Sequence, residues 1–206
     1  MHRPGPTVIK LGGSFAFSAD LGNWIAAIAG CGGRAVIVPG GGPFADAVRA
    51  AQVQMGFDDR TAHRMALLAM EQYGCAIKSL HEALSLAGSL DSIRRGLAGH
   101  QVPVWLPTQM ALSATDIPPS WDVTSDSLAA WLAGKIGAAR LLLVKQVEPA
   151  QGTARVADLA ERDIIDAAFA NFHAASGVPA FILGPKDHGA IGRSLCGEPV
   201  GIRIIV

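Results

Sequence analysis

Wholly apolar runs alternate with stripes of helical period along this chain. Val8-Ile9 and Leu11 make the first run and Val36-Ile37-Val38 the second. Each empties into glycines, Gly12-Gly13 before Ser14 and Gly40-Gly41-Gly42 after Pro39. Runs that are apolar at successive positions read as strands buried on both faces, and glycines at their ends mark a close approach of backbone. Between them, Asp20 can cap a helix carrying Leu21, Trp24, Ile25 and Ile28, which Gly30, Gly32 and Gly33 end. Pro43 opens a second helix with Phe44, Ala47, Val48 and Ala51 on one side. Asp58 and Asp59 start the longest helix, whose stripe is Ala62, Met65, Ala66, Ala69, Met70 and Tyr73.

The later chain continues the alternation. A short helix over Leu90–Leu97 precedes a strand over Val102–Leu106, and Pro107 to Trp121 reads as irregular, with Pro118 and Pro119 forcing an extended path. Thr124 or Ser125 can cap a helix over Leu128–Ile136. Strands follow at Leu141–Val144, Ala180–Leu183 and Ile202–Val206, with a helix over Asp163–Ala175. Strand, helix, strand, helix implies parallel pairing through right-handed crossovers, hence an α/β sheet with helices on its faces.

The two glycine loops are where chemistry is expected. Backbone N–H groups without Cβ atoms between them can form an anion-binding concavity, and the helix that starts afterwards adds its positive end. Lys10 could meet the same anion as a point charge. Neither loop has the spacing of a Walker loop or of a dinucleotide fingerprint. Asp126 falls in a first helical turn, where a carboxylate caps the helix, fixes the geometry of Lys10 or holds a metal. Arg60, His63 and Arg64 lie within about one turn, either as a solvated polar face or as a second anion site.

Composition narrows the partners. The 206 residues are 50% hydrophobic, enough for a sizeable core, and 17 basic residues balance 17 acidic ones. No bulk field therefore draws the chain to nucleic acid or to an anionic membrane. Cys31, Cys75 and Cys196 are scattered and odd in number, which suits a reducing cytoplasm better than a disulfide framework or a zinc site. Met1 to Pro6 lacks a signal-peptide core, and no run approaches the roughly 18 apolar residues of a membrane span.

Lys10-Leu11-Gly12-Gly13-Ser14, Val38-Pro39-Gly40-Gly41-Gly42 and Thr124-Ser125-Asp126-Ser127-Leu128-Ala129, in that order, resemble the amino-acid kinase superfamily. Pro39 to Ala45, His63 with Met70, and Ser120 to Leu128 are similar, more narrowly, to the short archaeal-type kinases of methanofuran biosynthesis, which phosphorylate a phosphate monoester. The resemblance implies a three-layer αβα sandwich with a mainly parallel sheet of about eight strands. It implies one domain over 1–206, with an acceptor lobe over 1–137 and a reduced nucleotide lobe over 138–206. ATP and Mg2+ would be used, the other substrate would be a small phosphorylated molecule, and two or more copies would associate.

Carried over residue by residue, the resemblance makes Lys10 and Asp126 catalytic. It assigns Gly12, Gly13 and Ser14 to the nucleotide phosphates and Gly40, Gly41 and Gly42 to the acceptor side. His63, with Arg60 and Arg64, would take the acceptor phosphate, and Asp122 or Thr124 the rest of the acceptor. No residue is assigned to a metal. Members usually carry Thr-Asp-x-Asp-Gly after the strand leading to the nucleotide, where this chain has Lys145-Gln146-Val147-Glu148-Pro149. Lys145 and Lys186 are the candidates for a second lysine. A degenerate member that binds a ligand or a partner is the alternative.

Overall fold

A computed structural model describes residues 5–147 and 152–205. Residues 1–4, 148–151 and 206 lie outside it, and with them most of the amino-terminal stretch, the Glu148-Pro149 end of the atypical segment and the last residue of the expected final strand.

Among the described residues eight strands form one sheet: β1 (Thr7–Leu11), β2 (Ala35–Pro39), β3 (Leu84–Ala87), β4 (Val102–Trp105), β5 (Arg140–Val144), β6 (Gly152–Arg155), β7 (Ala180–Leu183) and β8 (Ile202–Ile205). Their spatial order is β3-β4-β2-β1-β5-β7-β8-β6. From β3 to β7 all neighbours are parallel, whereas β8 runs antiparallel to β7 and pairs in parallel with β6. The expected mainly parallel three-layer α/β architecture is what the chain adopts.

Nine helices connect these strands among the described residues: α1 (Leu21–Ala29), α2 (Gly42–Met55), α3 (Asp59–Ser79), α4 (Leu90–Ala98), α5 (Thr108–Ser113), α6 (Ser125–Lys135), α7 (Val156–Glu161), α8 (Phe169–Ser176) and α9 (Ala190–Leu195). Strand periodicity sorts the core into two layers. Val8, Val36, Val38, Leu141, Leu143 and Ile182 face Leu128, Leu132 and Phe169 of α6 and α8. Ile9, Leu11, Ile37, Leu142, Val144 and Leu183 face Trp24, Ile25 and Ile28 of α1 and Ile191 of α9. Lys10 falls between Ile9 and Leu11, so the same alternation turns it toward α6.

Several elements differ from the sequence expectation. α5 occupies part of the stretch read as irregular, because Pro107 sits just ahead of it, where proline is tolerated. β3, β6, α7 and α9 are short elements that the apolar pattern does not mark. The helix expected from Asp163 begins only at Phe169, because Asp163 has φ 53° and cannot continue a right-handed helix.

The two glycine loops meet at the carboxyl edge of β1 and β2. Gly40 N–H donates to Leu11 O at 2.8 Å, and a short 3-10 turn over Gly13–Phe15 follows β1. A Cβ on Gly13 would enter the backbone of Gly42, and one on Gly40 the backbone of Gly13. These glycines therefore let two loops interlock, which comes before any contact with a ligand.

Gly40→Ala should cost about 1–3 kcal/mol by overpacking this junction. Gly22→Ala should gain up to about 1 kcal/mol of helix propensity, since Gly22 of α1 faces open space. Urea unfolding of both variants checks the pair; a Gly40→Ala protein as stable as wild type would contradict the interlocked loops.

Candidate active site

Parallel pairing of β1 with β5 aligns Leu11 with Val144, which brings Lys10 and Lys145 to neighbouring strand ends. The first turn of α6 places Asp126 between them. Lys10 Nζ lies 2.9 Å from Asp126 Oδ1, and Lys145 Nζ donates to Oδ2 at 2.5 Å. Oδ1 has no aligned hydrogen bond, so the Lys10 contact is one of charge. Asp126 and Lys10 are 2% and 6% exposed, so these ions are held almost free of water.

Electrostatics follow from that burial. Burial alone would raise the Asp126 carboxyl, but the Lys10 and Lys145 ammoniums outweigh it and hold the group below the usual carboxylate range. Burial, with the repulsion of Lys10, pushes the Lys145 ammonium down to about 8, and Asp126 only partly opposes this. Three charges thus leave one net positive unit beside the glycine loops. Such a unit neutralises charge arriving on a phosphoryl group.

The start of α6 is fixed from outside the sheet. Asp166, in the loop before α8, accepts from Thr124 N at 3.0 Å, Thr124 Oγ1 at 2.7 Å and Ser127 N at 3.0 Å, and also from Ser127 Oγ. One carboxylate therefore satisfies donors that the helix itself cannot. Thr124 is the N-cap residue, its Oγ1 only 3.5 Å from Asp126 N. Nothing in the sequence spacing singles out Asp166.

On the other side of the glycine loops lies a cavity of about 400 Å³. Gly13, Ser14, Gly41 and Gly42 line one end, and Leu67, Met70, Val123 and Leu128 supply apolar wall. His63 of α3 reaches it, 8% exposed, and burial lowers its pKa below the ordinary imidazole value. Thr124 lines it as well. The structure corrects the rest of the expected acceptor set: Arg60, Arg64 and Asp122 are exposed and do not line this cavity. Only the His63 side of α3 faces inward, so spacing within one turn does not converge. Lys186 is also exposed, and among the described residues it has no ion pair with Asp126. Gly12 and Gly40 lie behind the cavity, in the strand-to-loop junction.

Three side chains not expected from sequence line the cavity instead: Asp46 and Arg49 of α2, and Trp121. The Arg49 guanidinium sits over the Trp121 ring, 4.3 Å from its centroid. Trp121 Nε1 donates to Gln52 Oε1 at 2.6 Å, and Gln52 Nε2 to Asp59 Oδ1 at 2.9 Å. On α2 these residues look like an ordinary polar face, and only the fold turns them toward a ligand.

A metal finds little here. Among the described residues no three His, Cys, Asp or Glu side chains gather to hold one, and both oxygens of Asp126 face lysines.

Comparison with known proteins agrees with this fold. Among solved structures of similar fold are the uridylate kinase of Archaeoglobus fulgidus (TM-score 0.73, 17% identity, 97% of this chain and 100% of that one) and the UMP kinase of Ureaplasma parvum (TM-score 0.70, 15% identity, 100% of both). The [5-(aminomethyl)furan-3-yl]methyl phosphate kinase of Methanocaldococcus jannaschii is 24% identical over 146 residues. That match spans 68% of this chain and 66% of the relative, just under two thirds of the relative's length. The model of the amino acid kinase family matches residues 5–149, most of the chain, and on that match the chain belongs to the amino acid kinase family.

Proposed function

We propose that this protein is an ATP-dependent kinase that transfers the γ-phosphoryl group to a small phosphate monoester, giving a diphosphate. The observation that carries this is the Lys10–Asp126–Lys145 constellation, placed where two glycine loops meet and next to a cavity that holds His63. The names of the relatives support it, since each is a kinase of a phosphorylated small molecule. An aryl methyl phosphate such as an aminomethylfuran phosphate is the first acceptor to test.

In the reaction, an acceptor phosphate oxygen attacks the γ-phosphorus, the bond from that phosphorus to the bridging oxygen breaks, and ADP leaves with the electron pair. Lys10 and Lys145 stabilise the charge that spreads over the transferring group. A phosphate monoester is largely a dianion at neutral pH and needs no base to become a nucleophile. This suits a cavity whose histidine is held neutral and free to donate a hydrogen bond. Magnesium would come with the nucleotide phosphates, since among the described residues no three His, Cys, Asp or Glu side chains gather to hold it on their own.

The cavity-lining residues all fall between Gly13 and Leu128, which supports assigning 1–137 to the acceptor and 138–206 to the nucleotide. Val53 and Met55 of α2, 85% and 75% exposed, support pairing of two copies through helices. No helix among the described residues is long and apolar enough to cross a membrane.

The reading is tested by incubating the protein with MgATP and aryl methyl phosphates and following ³¹P resonances; a diphosphate product with ADP is expected. Binding of the monoester without any turnover of ATP would favour a ligand-binding subunit instead. His63→Ala should weaken acceptor binding by about 1.5–3 kcal/mol, the range for a hydrogen bond to a charged group, with little change for ATP. Because falling pH protonates the imidazole, and the resulting cation holds a phosphate dianion more tightly than the neutral ring does, wild-type affinity should gain on the variant as pH falls toward 6. Equal affinities across that range would remove His63 from the acceptor site.

Lys145 sets a second pH test. Its ammonium, held near 8 in the free protein, deprotonates as pH rises and takes one positive charge from the site. Therefore kcat/KM should fall above pH 8, while kcat holds to higher pH because bound phosphates favour the charged form. Lys145→Arg should remove that falling limb, since guanidinium stays charged. A wild-type kcat/KM flat through pH 9.5 would contradict the assignment of Lys145.

A further inference from the structure

A separate cavity of about 460 Å³ opens at the amino edge of the sheet, the edge opposite the glycine loops. Thr7 begins β1, Arg34 immediately precedes β2 and Arg140 begins β5, and all three line it. The lining holds two arginines and no acid. Neither guanidinium has an ion pair among the described residues, and Met1 to Pro4, which precede Gly5 of the lining, contain no acid. Two cations of fixed charge thus share one hollow without a counter-ion.

Each arginine is held by neutral groups. Arg140 Nη1 donates to Glu198 O at 2.9 Å and to Ser194 Oγ at 3.2 Å, and its guanidinium lies 5.5 Å from the centroid of the Phe181 ring. Arg34 Nε donates to Cys31 O at 3.1 Å, just beyond the end of α1. Capping carbonyls near helix ends is an ordinary task for arginine. These bonds engage one nitrogen of each guanidinium, however, and a guanidinium carries five donors. Arg140 is also half-buried, and that burial lowers its pKa from the ordinary value, as expected of a cation that has lost water without gaining a carboxylate.

Register sets the two arginines on either side of β1. Thr7 pairs with Ala35 of β2 and with Arg140 of β5, so the two strands are about 10 Å apart at this edge. Both side chains are long enough to reach toward one group above Thr7. We propose that this cavity binds a small phosphate-bearing anion, gripped by Arg34 and Arg140, at a site distinct from the Lys10 cluster. Planar guanidinium donors match phosphate oxygens in pairs, which fits the chemistry of the lining. The site does not depend on which acceptor the kinase reading assigns. Its occupant would brace β1 and β5 at their starts, the two strands that lead to Lys10 and Lys145 at the other edge.

Pyrophosphate is the probe, titrated into the full chain in about 0.15 M KCl to screen loose surface attraction. The Nε–Hε resonances of Arg34 and Arg140 are followed by NMR beside the backbone amides of Gly13 and Gly41. Both arginine signals should move along one saturable curve. Arg34→Gln should weaken that curve, read at Arg140, by about tenfold, the scale of one charge-assisted bond, and leave the response at Gly13 and Gly41 unchanged. Arg34 is exposed, so this variant should fold even where Arg140→Gln does not. Arginine signals that stay in place while the glycine loops respond, or an unaltered curve in Arg34→Gln, would overturn the site and leave both arginines as caps of helix ends.

Discussion

A carboxylate buried between two ammonium groups is the constraint that the rest of this protein serves. Ionised Asp126 is 2% exposed, and leaving such a group unpaired costs several kcal/mol, commonly about 3–5 when one partner of a buried pair is removed. Lys10 and Lys145 offset that cost, yet they also repel each other, and the depressed Lys145 ammonium records the tension. The site is thus held with its positive charges incompletely satisfied. A transferring phosphoryl group would complete the neutralisation, which makes the resting strain useful to catalysis.

Each part of the fold contributes one element of that arrangement. Parallel pairing of β1 and β5 sets the two lysines at adjacent strand ends, where an open α/β sheet changes its direction of strand addition and leaves a crevice. Asp166 ties the start of α6, so Asp126 arrives with its orientation fixed. The interlocked glycine loops close the junction between the lysine cluster and the cavity that His63 lines. Their small size is needed first for backbone to pass backbone, and the bare N–H groups for ligand are a consequence of it.

Much of this was legible in the sequence, and the limits have physical causes. β1, β2 and β5 announce themselves because a strand buried on both faces must be apolar at nearly every position, and Lys10 stands out as the one charged position in β1. Asp126 was visible as a charge in a first helical turn. Lys145 was visible only as a candidate, because its meeting with Asp126 depends on which strands are neighbours. Arg60 and Arg64 were misplaced because spacing shows which residues share a helix surface but not which side the core takes. Asp46, Arg49 and Asp166 gave no signal at all, since a polar residue on an amphipathic helix or in a loop is ordinary until the fold gives it a partner. Asp163 concealed the true start of α8 in the same way, by adopting a left-handed backbone that no composition reveals.

The central claim is that Lys10, Asp126 and Lys145 act as one unit, and a double-mutant cycle on turnover tests it most directly. Lys10→Ala, Lys145→Ala and the double variant are compared for kcat under saturating MgATP and acceptor, with circular dichroism to establish that each folds. Each single loss should lower kcat by about a hundredfold or more, and the double loss should fall well short of the product of the two. Single losses that multiply, or a Lys10→Ala protein with wild-type turnover, would contradict the account.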